Sequence, residues 1–197
     1  SFVPAASVSY YGIVISSTTG PNFVVTDNYI GGSAALCGGS AWTKTNAFNN
    51  IFTGIYISAA TGTASSLQNN IIRNFNWSNS LNGNWTGIMI AGGDINIGTV
   101  TGNAIGNSTG TGSITVTSTT TNSNYYGINL SGAGTVVCQN NIIGSVTAAN
   151  AAANASNIYG INIGVSAGNS TIANNTIGST SAANSIYASS ASTANAQ

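Results

Sequence analysis

The chain has 197 residues, 25 of them Gly, with no His, and charged side chains make up only 2% of it, for a formal net charge of zero. Lys44, Arg73, Asp27 and Asp94 are the only charged side chains, where a domain of this length ordinarily carries about a quarter. Acid–base catalysis needs ionisable groups set against one another, and nucleic-acid binding needs a basic field that displaces counterions. Composition therefore argues against an enzyme, a nucleic-acid partner, and any metal or cofactor site. A mean hydropathy of +0.21 and recurrent Ile and Val clusters speak for a folded chain, since disorder goes with low hydrophobicity and high net charge. The chain opens at Ser1 with no initiator Met or charged leader and reads as a mature or excised piece. Every apolar run is broken well short of the ~18 residues of a spanning helix, so no membrane insertion is expected.

The first element in chain order is Tyr10-Tyr11-Gly12-Ile13-Val14-Ile15. It returns as Phe52-Thr53-Gly54-Ile55-Tyr56-Ile57, Trp85-Thr86-Gly87-Ile88-Met89-Ile90, Tyr125-Tyr126-Gly127-Ile128-Asn129-Leu130 and Ile158-Tyr159-Gly160-Ile161-Asn162-Ile163, with glycines 42, 33, 40 and 33 residues apart. The aliphatics after each Gly are separated by one residue, so both point to one face of a strand. Ile13, Ile55, Ile88, Ile128 and Ile161 are expected to stack inside.

A second element follows, centred on Asn28, Asn70, Asn103, Asn141 and Asn175, which lie 16, 16, 16, 14 and 15 residues beyond the respective glycines. Three residues before the Asn stands an apolar group (Val25, Leu67, Val100, Cys138, Ile172), and two after it an Ile (Ile30, Ile72, Ile105, Ile143, Ile177). Immediately before it come Asp27, Asn69, Gly102, Asn140 and Asn174, residue types that tolerate positive φ. The pattern predicts strand, tight bend, strand. The remainder of each unit, running 26, 17, 24 and 19 residues to the next Gly, varies most and is read as loops on one face. Gly31 to Asn50 and Ser145 to Asn157 are examples; Ala148 to Ala155 is assigned to loop, with room for a helical turn.

These elements describe five stacked units of two or three short strands each. GIxI followed by a TIxNNxIG-like stretch, best preserved at Ser170 to Gly178, resembles the right-handed parallel β-helix repeat of the pectin-lyase-like superfamily over roughly residues 10 to 187. The expected fold is all-β: a right-handed parallel β-helix solenoid of about five coils with long loops on one face, 1–197 forming a single segment of a longer repeat protein. Each unit is taken as one large coil, although two small coils per unit stay open. Equivalent residues then lie about 4.8 Å apart along the axis, and the five Asn form a ladder of amide hydrogen bonds, with ordinary turn chemistry as the alternative.

Enzymes of that superfamily cleave acidic polysaccharides with clustered Asp, often Ca2+, and a basic residue, and this chain departs from them at each such position. Asp27 and Asp94 fall two units apart and at different points of their coils, so no paired acid and base follows. Cys37 and Cys138 lie three units apart, roughly 14 Å against a disulfide limit of about 7 Å between Cα atoms, and are expected as free, buried thiols, with an intermolecular bridge through Cys37 as the other reading. Thr115, Thr117, Thr119 and Thr121 alternate as an ice-binding file does, but no matching Thr is read in the other units, so the stretch is read as an exposed strand with polar outward residues. Sequons such as Asn76-Trp77-Ser78 arise by chance in so Asn-rich a chain. The aromatics before the repeated Gly, Tyr10, Phe52, Trp85 and Tyr125, suit either a glycan-binding strip or packing and subunit contact, the second being favoured.

Near-zero charge, Asn/Ser/Thr/Gly/Ala richness and long imperfect repeats also resemble the giant surface adhesins and filament proteins that bacteria export, often by type IX secretion. That resemblance implies an extracellular or cell-surface module that is structural or adhesive, holds surfaces, other cells or prey, and assembles as a homo-oligomer or fibre, with cell-surface glycans as a partner class. The alternative is a carbohydrate-binding or carbohydrate-cleaving β-helix.

Overall fold

The computed structural model describes all residues except 2, 46–47, 80–83, 120–121, 152–153, 165, 167, 180 and 192–197; the expectation placed on Thr121 lies outside the described residues. The chain is a parallel β-helix. Four sheets of five strands each run along the column, and every strand pair is parallel. The first sheet comprises Tyr10–Ser16, Phe52–Ser58, Trp85–Gly92, Ser123–Leu130 and Ser156–Ile163. The second comprises Val24–Thr26, Ser65–Gln68, Ile95–Ile97, Val136–Gln139 and Ser170–Ala173. The third is built of the short strands Tyr29–Ile30, Ile71–Ile72, Ala104–Gly106, Ile142–Gly144 and Thr176–Ile177. Each repeat unit visits the four sheets once, so one unit is one large coil.

The fourth sheet corrects the loop assignment. Trp42–Lys44, Phe75–Asn79, Val146–Asn150 and Ile186–Ser190, where only connecting segments were expected, pair in register with Ile114–Ser118, where the alternating Thr file was expected as an exposed strand. Ala148, placed in loop by its Ala- and Asn-rich surroundings, is a buried strand residue. Parallel pairing to neighbours above and below satisfies its backbone, and that outweighs the weak strand preference of Ala and Asn.

The repeated Gly has a packing reason. A Cβ at Gly54, Gly87 or Gly127 would stand 2.5 to 2.6 Å from the next coil's glycine carbonyl oxygen and 2.8 Å from the Ile72, Ile105 or Ile143 side chain across the core. Gly54 and the Ile55 after it both lie on the buried side, so the period-two alternation changes phase there. This brings the aromatic before the Gly and the two aliphatics after it onto one interior face. Ile13, Ile55, Ile88, Ile128 and Ile161 pair in a single file as expected.

At the bend before the ladder Asn, Asp27, Asn69, Asn140 and Asn174 adopt φ of 59°, 51°, 59° and 56°. The third coil differs. Its bend is lengthened, the positive φ falls on Gly98 at 73° and not on Gly102, and the inward residue is Ile97, in register with Leu67 and Cys138. Val100, which the spacing groups with Val25, Leu67 and Cys138, is 85% exposed. The extra residues are held by Gln68, whose Oε1 accepts from the backbone N–H groups of Val100 at 3.0 Å and Thr101 at 3.2 Å.

Candidate functional site

The five asparagines lie along one line. Asn28 Nδ2 donates to Asn70 Oδ1 at 2.8 Å, Asn70 to Asn103 at 2.8 Å, Asn103 to Asn141 at 2.9 Å and Asn141 to Asn175 at 2.9 Å. The same oxygens accept the backbone N–H of the preceding Asn at 2.9 to 3.2 Å. The second Nδ2 hydrogen reaches back one coil, from Asn70 to the Val25 carbonyl, Asn103 to Leu67, Asn141 to Ile97 and Asn175 to Cys138. Each inner Asn therefore ties three successive coils, and Asn70, Asn103 and Asn141 are buried with their polar atoms satisfied. The ladder is polar in direction: the oxygens of Asn70, Asn103, Asn141 and Asn175 each receive from the coil before.

Other files repeat this device. Ser145 Oγ accepts from Ser113 N–H and Ser185 Oγ from Ser145 N–H, both at 3.0 Å, at the entry to the fourth sheet. On the outer face of the first sheet Asn157 donates to Asn124 and Asn162 to Asn129, both at 2.9 Å. The Ser file was missed because Ser113, Ser145 and Ser185 lack a common spacing from the Gly, lying 26, 18 and 25 residues beyond it; the Asn pairs keep a fixed spacing, three before and two after Gly127 and Gly160, but both places hold Asn only in the last two units. The period-two alternation of Ile114-Thr115-Val116-Thr117 is the signal for the fourth sheet.

The aromatic file is interior. Phe52, Trp85 and Tyr125 are buried and Tyr10 half-buried, with Phe52 against Trp85 at 5.3 Å between ring centroids and Trp85 stacked on Tyr125 at 5.1 Å. Packing, the favoured reading, is what the rings do; Phe52, Trp85 and Tyr125 offer no face to a glycan or another subunit. Burial pushes the Tyr125 phenol up in pKa.

Each charged side chain takes a neutral partner. Asp94 accepts the backbone N–H groups of Gly62 and Thr135, both at 2.7 Å, one coil to either side, and these bonds hold its carboxyl below the usual range. Asp27 accepts from Thr26 Oγ1 at 2.9 Å and Asn69 Nδ2 at 2.6 Å. The two carboxylates sit at different corners. Arg73 donates to the Leu36 carbonyl at 3.2 Å. Lys44 is fully buried, its Nζ donating to the Phe48 carbonyl at 2.6 Å, Asn79 Oδ1 at 2.8 Å and the Ser78 carbonyl, and burial pulls its pKa down to about 8. Three acceptors match the three N–H groups of an ammonium, which is how a charge is tolerated there.

Cys37 and Cys138 are free and buried, as expected; burial raises both thiols, that of Cys138 to about 12. Thr115 pairs with Thr147, and Thr43 with Asn76 one coil earlier, so Thr does recur in register, contrary to the expectation, but Asn76 and Tyr187 interrupt the file. Among the described residues no group of three or more His, Cys, Asp or Glu could hold a metal ion, and no helix is long and apolar enough to cross a membrane. An open cleft of about 310 Å³ is lined by Thr111, Thr147, Asn184 and Tyr187. Comparisons with protein-family models, with curated proteins and with solved structures find no match to this chain.

Proposed function

We propose that this chain is a structural, adhesive module of an extracellular bacterial filament or surface appendage of the kind exported by type IX secretion, serving attachment to surfaces or other cells. The observation that carries the reading is the uninterrupted polar ladder from Asn28 to Asn175, in a column whose four charged side chains are all partnered by neutral groups. Cohesion of this kind rests on short hydrogen bonds and packing. It does not weaken in salt of about 1 M, where the Debye length falls to ~3 Å and surface ion pairs are screened. The pectin-lyase-like repeat supplies the scaffold under this reading, and its catalytic and Ca2+ sites are not carried over.

Immunogold electron microscopy of producing cells with antibody to this chain tests it. Label along surface filaments is the expected result; label confined to the cell interior overturns the proposal.

The second reading, a carbohydrate-binding β-helix, is favoured by one observation. Tyr126 and Tyr159 stack at 4.9 Å on the outer face of the first sheet, flanked by the Asn124–Asn157 and Asn129–Asn162 amide pairs. Binding to a glycan array that is lost in Tyr159→Ala decides for it.

A further inference from the structure

Lys44 and Asn79 meet inside the column in a way that neither the ladder nor the packing accounts for. Lys44 ends the Trp42–Lys44 strand of the first coil, and Asn79 ends the Phe75–Asn79 strand paired with it in the second. They are 0% and 1% exposed. The three acceptors of the ammonium are all neutral: the Phe48 carbonyl, the Ser78 carbonyl and, at 2.8 Å, Asn79 Oδ1. A C=O bond is about 1.2 Å long, so Asn79 Cγ lies within about 4 Å of Nζ, close to the ~3–3.5 Å at which bound groups react.

The Asn79 amide is held at one end only. Its Oδ1 takes a second hydrogen bond, from the Asn50 backbone N–H at 3.0 Å, and Asn50 is held in turn by Trp77 Nε1, which donates to its carbonyl at 2.9 Å. Two donors fix which end of the amide is oxygen. The other end, Nδ2, is buried without a hydrogen-bond partner, and an unpaired buried donor costs free energy. An amine with no counter-ion thus faces a carbonyl polarised by a fixed donor, on an amide whose nitrogen nothing retains.

We propose that Lys44 and Asn79 join in an intramolecular isopeptide bond, Nζ replacing Nδ2 on Cγ. The ammonium first gives one proton to solvent; its remaining two hydrogens stay on the Phe48 and Ser78 carbonyls, and the freed lone pair faces Cγ. As the Nζ–Cγ bond forms, the C=O electron pair moves onto Oδ1, where the Asn50 N–H stabilises it. One Nζ hydrogen passes to Nδ2, the carbonyl re-forms, and the Cγ–Nδ2 bond breaks with its electron pair, releasing ammonia that takes up a proton from solvent. An ammonium and a carboxamide become a secondary amide and an ammonium ion, so no oxidant, reductant or further reagent enters. Burial keeps water from competing at Cγ and pulls the amine down to about 8, which raises its neutral fraction. Asp27 and Asp94, the only side-chain carboxylates, are engaged at other corners. No acid relays the proton, joining is slow, and a freshly folded chain still carries the free, titrating amine. The product exchanges a buried charge and an orphaned donor for one neutral amide, and ties the first coil covalently to the second. It goes beyond the filament reading and does not rest on it.

Trypsin tests the proposal, because Lys44 and Arg73 are its only two sites in the chain. The folded chain is aged above the amine's value of about 8, then denatured and digested. An unjoined chain gives three peptides, 1–44, 45–73 and 74–197. A joined chain is not cut at Lys44, whose amine has become an amide, and after the cut at Arg73 its two parts stay linked through Asn79. The expected result is a single linked species that accumulates with age, one ammonia lighter than the same parts unlinked, with tandem mass spectrometry placing the link between Lys44 and Asn79. Asn79→Ala, and the original chain aged in urea, are expected to give the three separate peptides. Three peptides from the folded chain at every age, a link at any other pair of residues, or a linked species from Asn79→Ala or from the urea-aged chain each overturns the bond.

Discussion

Replacement of Asn103 by Ala tests the ladder at its centre. Asn103 Oδ1 accepts from Asn70 N–H at 3.0 Å and Asn70 Nδ2 at 2.8 Å, while its own Nδ2 donates to Asn141 Oδ1 and the Leu67 carbonyl, both at 2.9 Å. Ala removes four hydrogen bonds at about 1 kcal/mol each and strands buried groups on Asn70 and Leu67, for a loss of about 4 kcal/mol. That is a large part of the ~5–15 kcal/mol that holds an ordinary domain. Asn28→Ala removes only two bonds, at the half-exposed end of the ladder, and costs about 1 kcal/mol. Asn103→Asp adds a second signature. Its carboxylate still accepts from Asn70 but meets the Asn141 oxygen, so burial and oxygen–oxygen repulsion raise its pKa above the unfolded value of about 4. A raised folded pKa gives a deficit that is small in acid and grows as pH rises through that value. Urea unfolding followed by circular dichroism reads both effects. Equal losses at positions 28 and 103, or an Asn103→Asp deficit that does not change with pH, would refute the ladder as the source of cohesion.

Gly87→Ala places a Cβ 2.6 Å from the Gly127 carbonyl oxygen and 2.8 Å from Ile105, whereas Gly92→Ala meets nothing nearer than 3.5 Å; thermal unfolding is expected to drop by about 1–3 kcal/mol for the first and within about 0.5 kcal/mol for the second. Lys44, with its folded pKa pulled down to about 8 by burial, binds fewer protons folded than unfolded above that pH, so melting temperature rises from pH 8 towards 10 and the rise is absent in Lys44→Met. Cys138, pushed up to about 12 and buried, stays unalkylated by iodoacetamide at pH 8 until the chain is unfolded, and mass spectrometry of the native and denatured samples reads the difference.

The sequence made legible whatever recurs at fixed spacing. The Gly-Ile file and the Asn ladder repeat because each residue meets its own kind one coil above and below, so stacking imposes the same requirement on every unit. Spacing misled at Val100: three residues before Asn103 there is an apolar side chain by coincidence, while the lengthened bend held by Gln68 moves the inward place back to Ile97. The fourth sheet was hidden for a different reason. Its inward places hold Lys44, Trp77, Val116, Ala148 and Ala188 in register, a file with no common residue type. Nothing in the sequence marks Lys44 as an inward residue, since a lone Lys is almost never buried, and Ser78 and Asn79 from the next coil supply two of its three acceptors.

That irregular file makes sense beside the aromatic one. In the first sheet the corresponding places hold Tyr10, Phe52, Trp85, Tyr125 and Ile158. The coil with the smaller Phe52 carries Trp77, with the two rings 5.0 Å apart, whereas the coils with Trp85 and Tyr125 carry Val116 and Ala148. Bulk is traded between two faces of one interior, as a close-packed core requires, so coils of different sequence enclose similar cross-sections and can still stack. Divergence also guards register. If every coil were identical, a strand could pair one coil out of place at little cost, the weakness of repetitive strands. Trp77 slipped by one coil would have to share its layer with Trp85, and overpacking of that kind costs about 1–3 kcal/mol or more. The constant residues thus build a column that can be extended, and the variable ones fix which coil lies where within it.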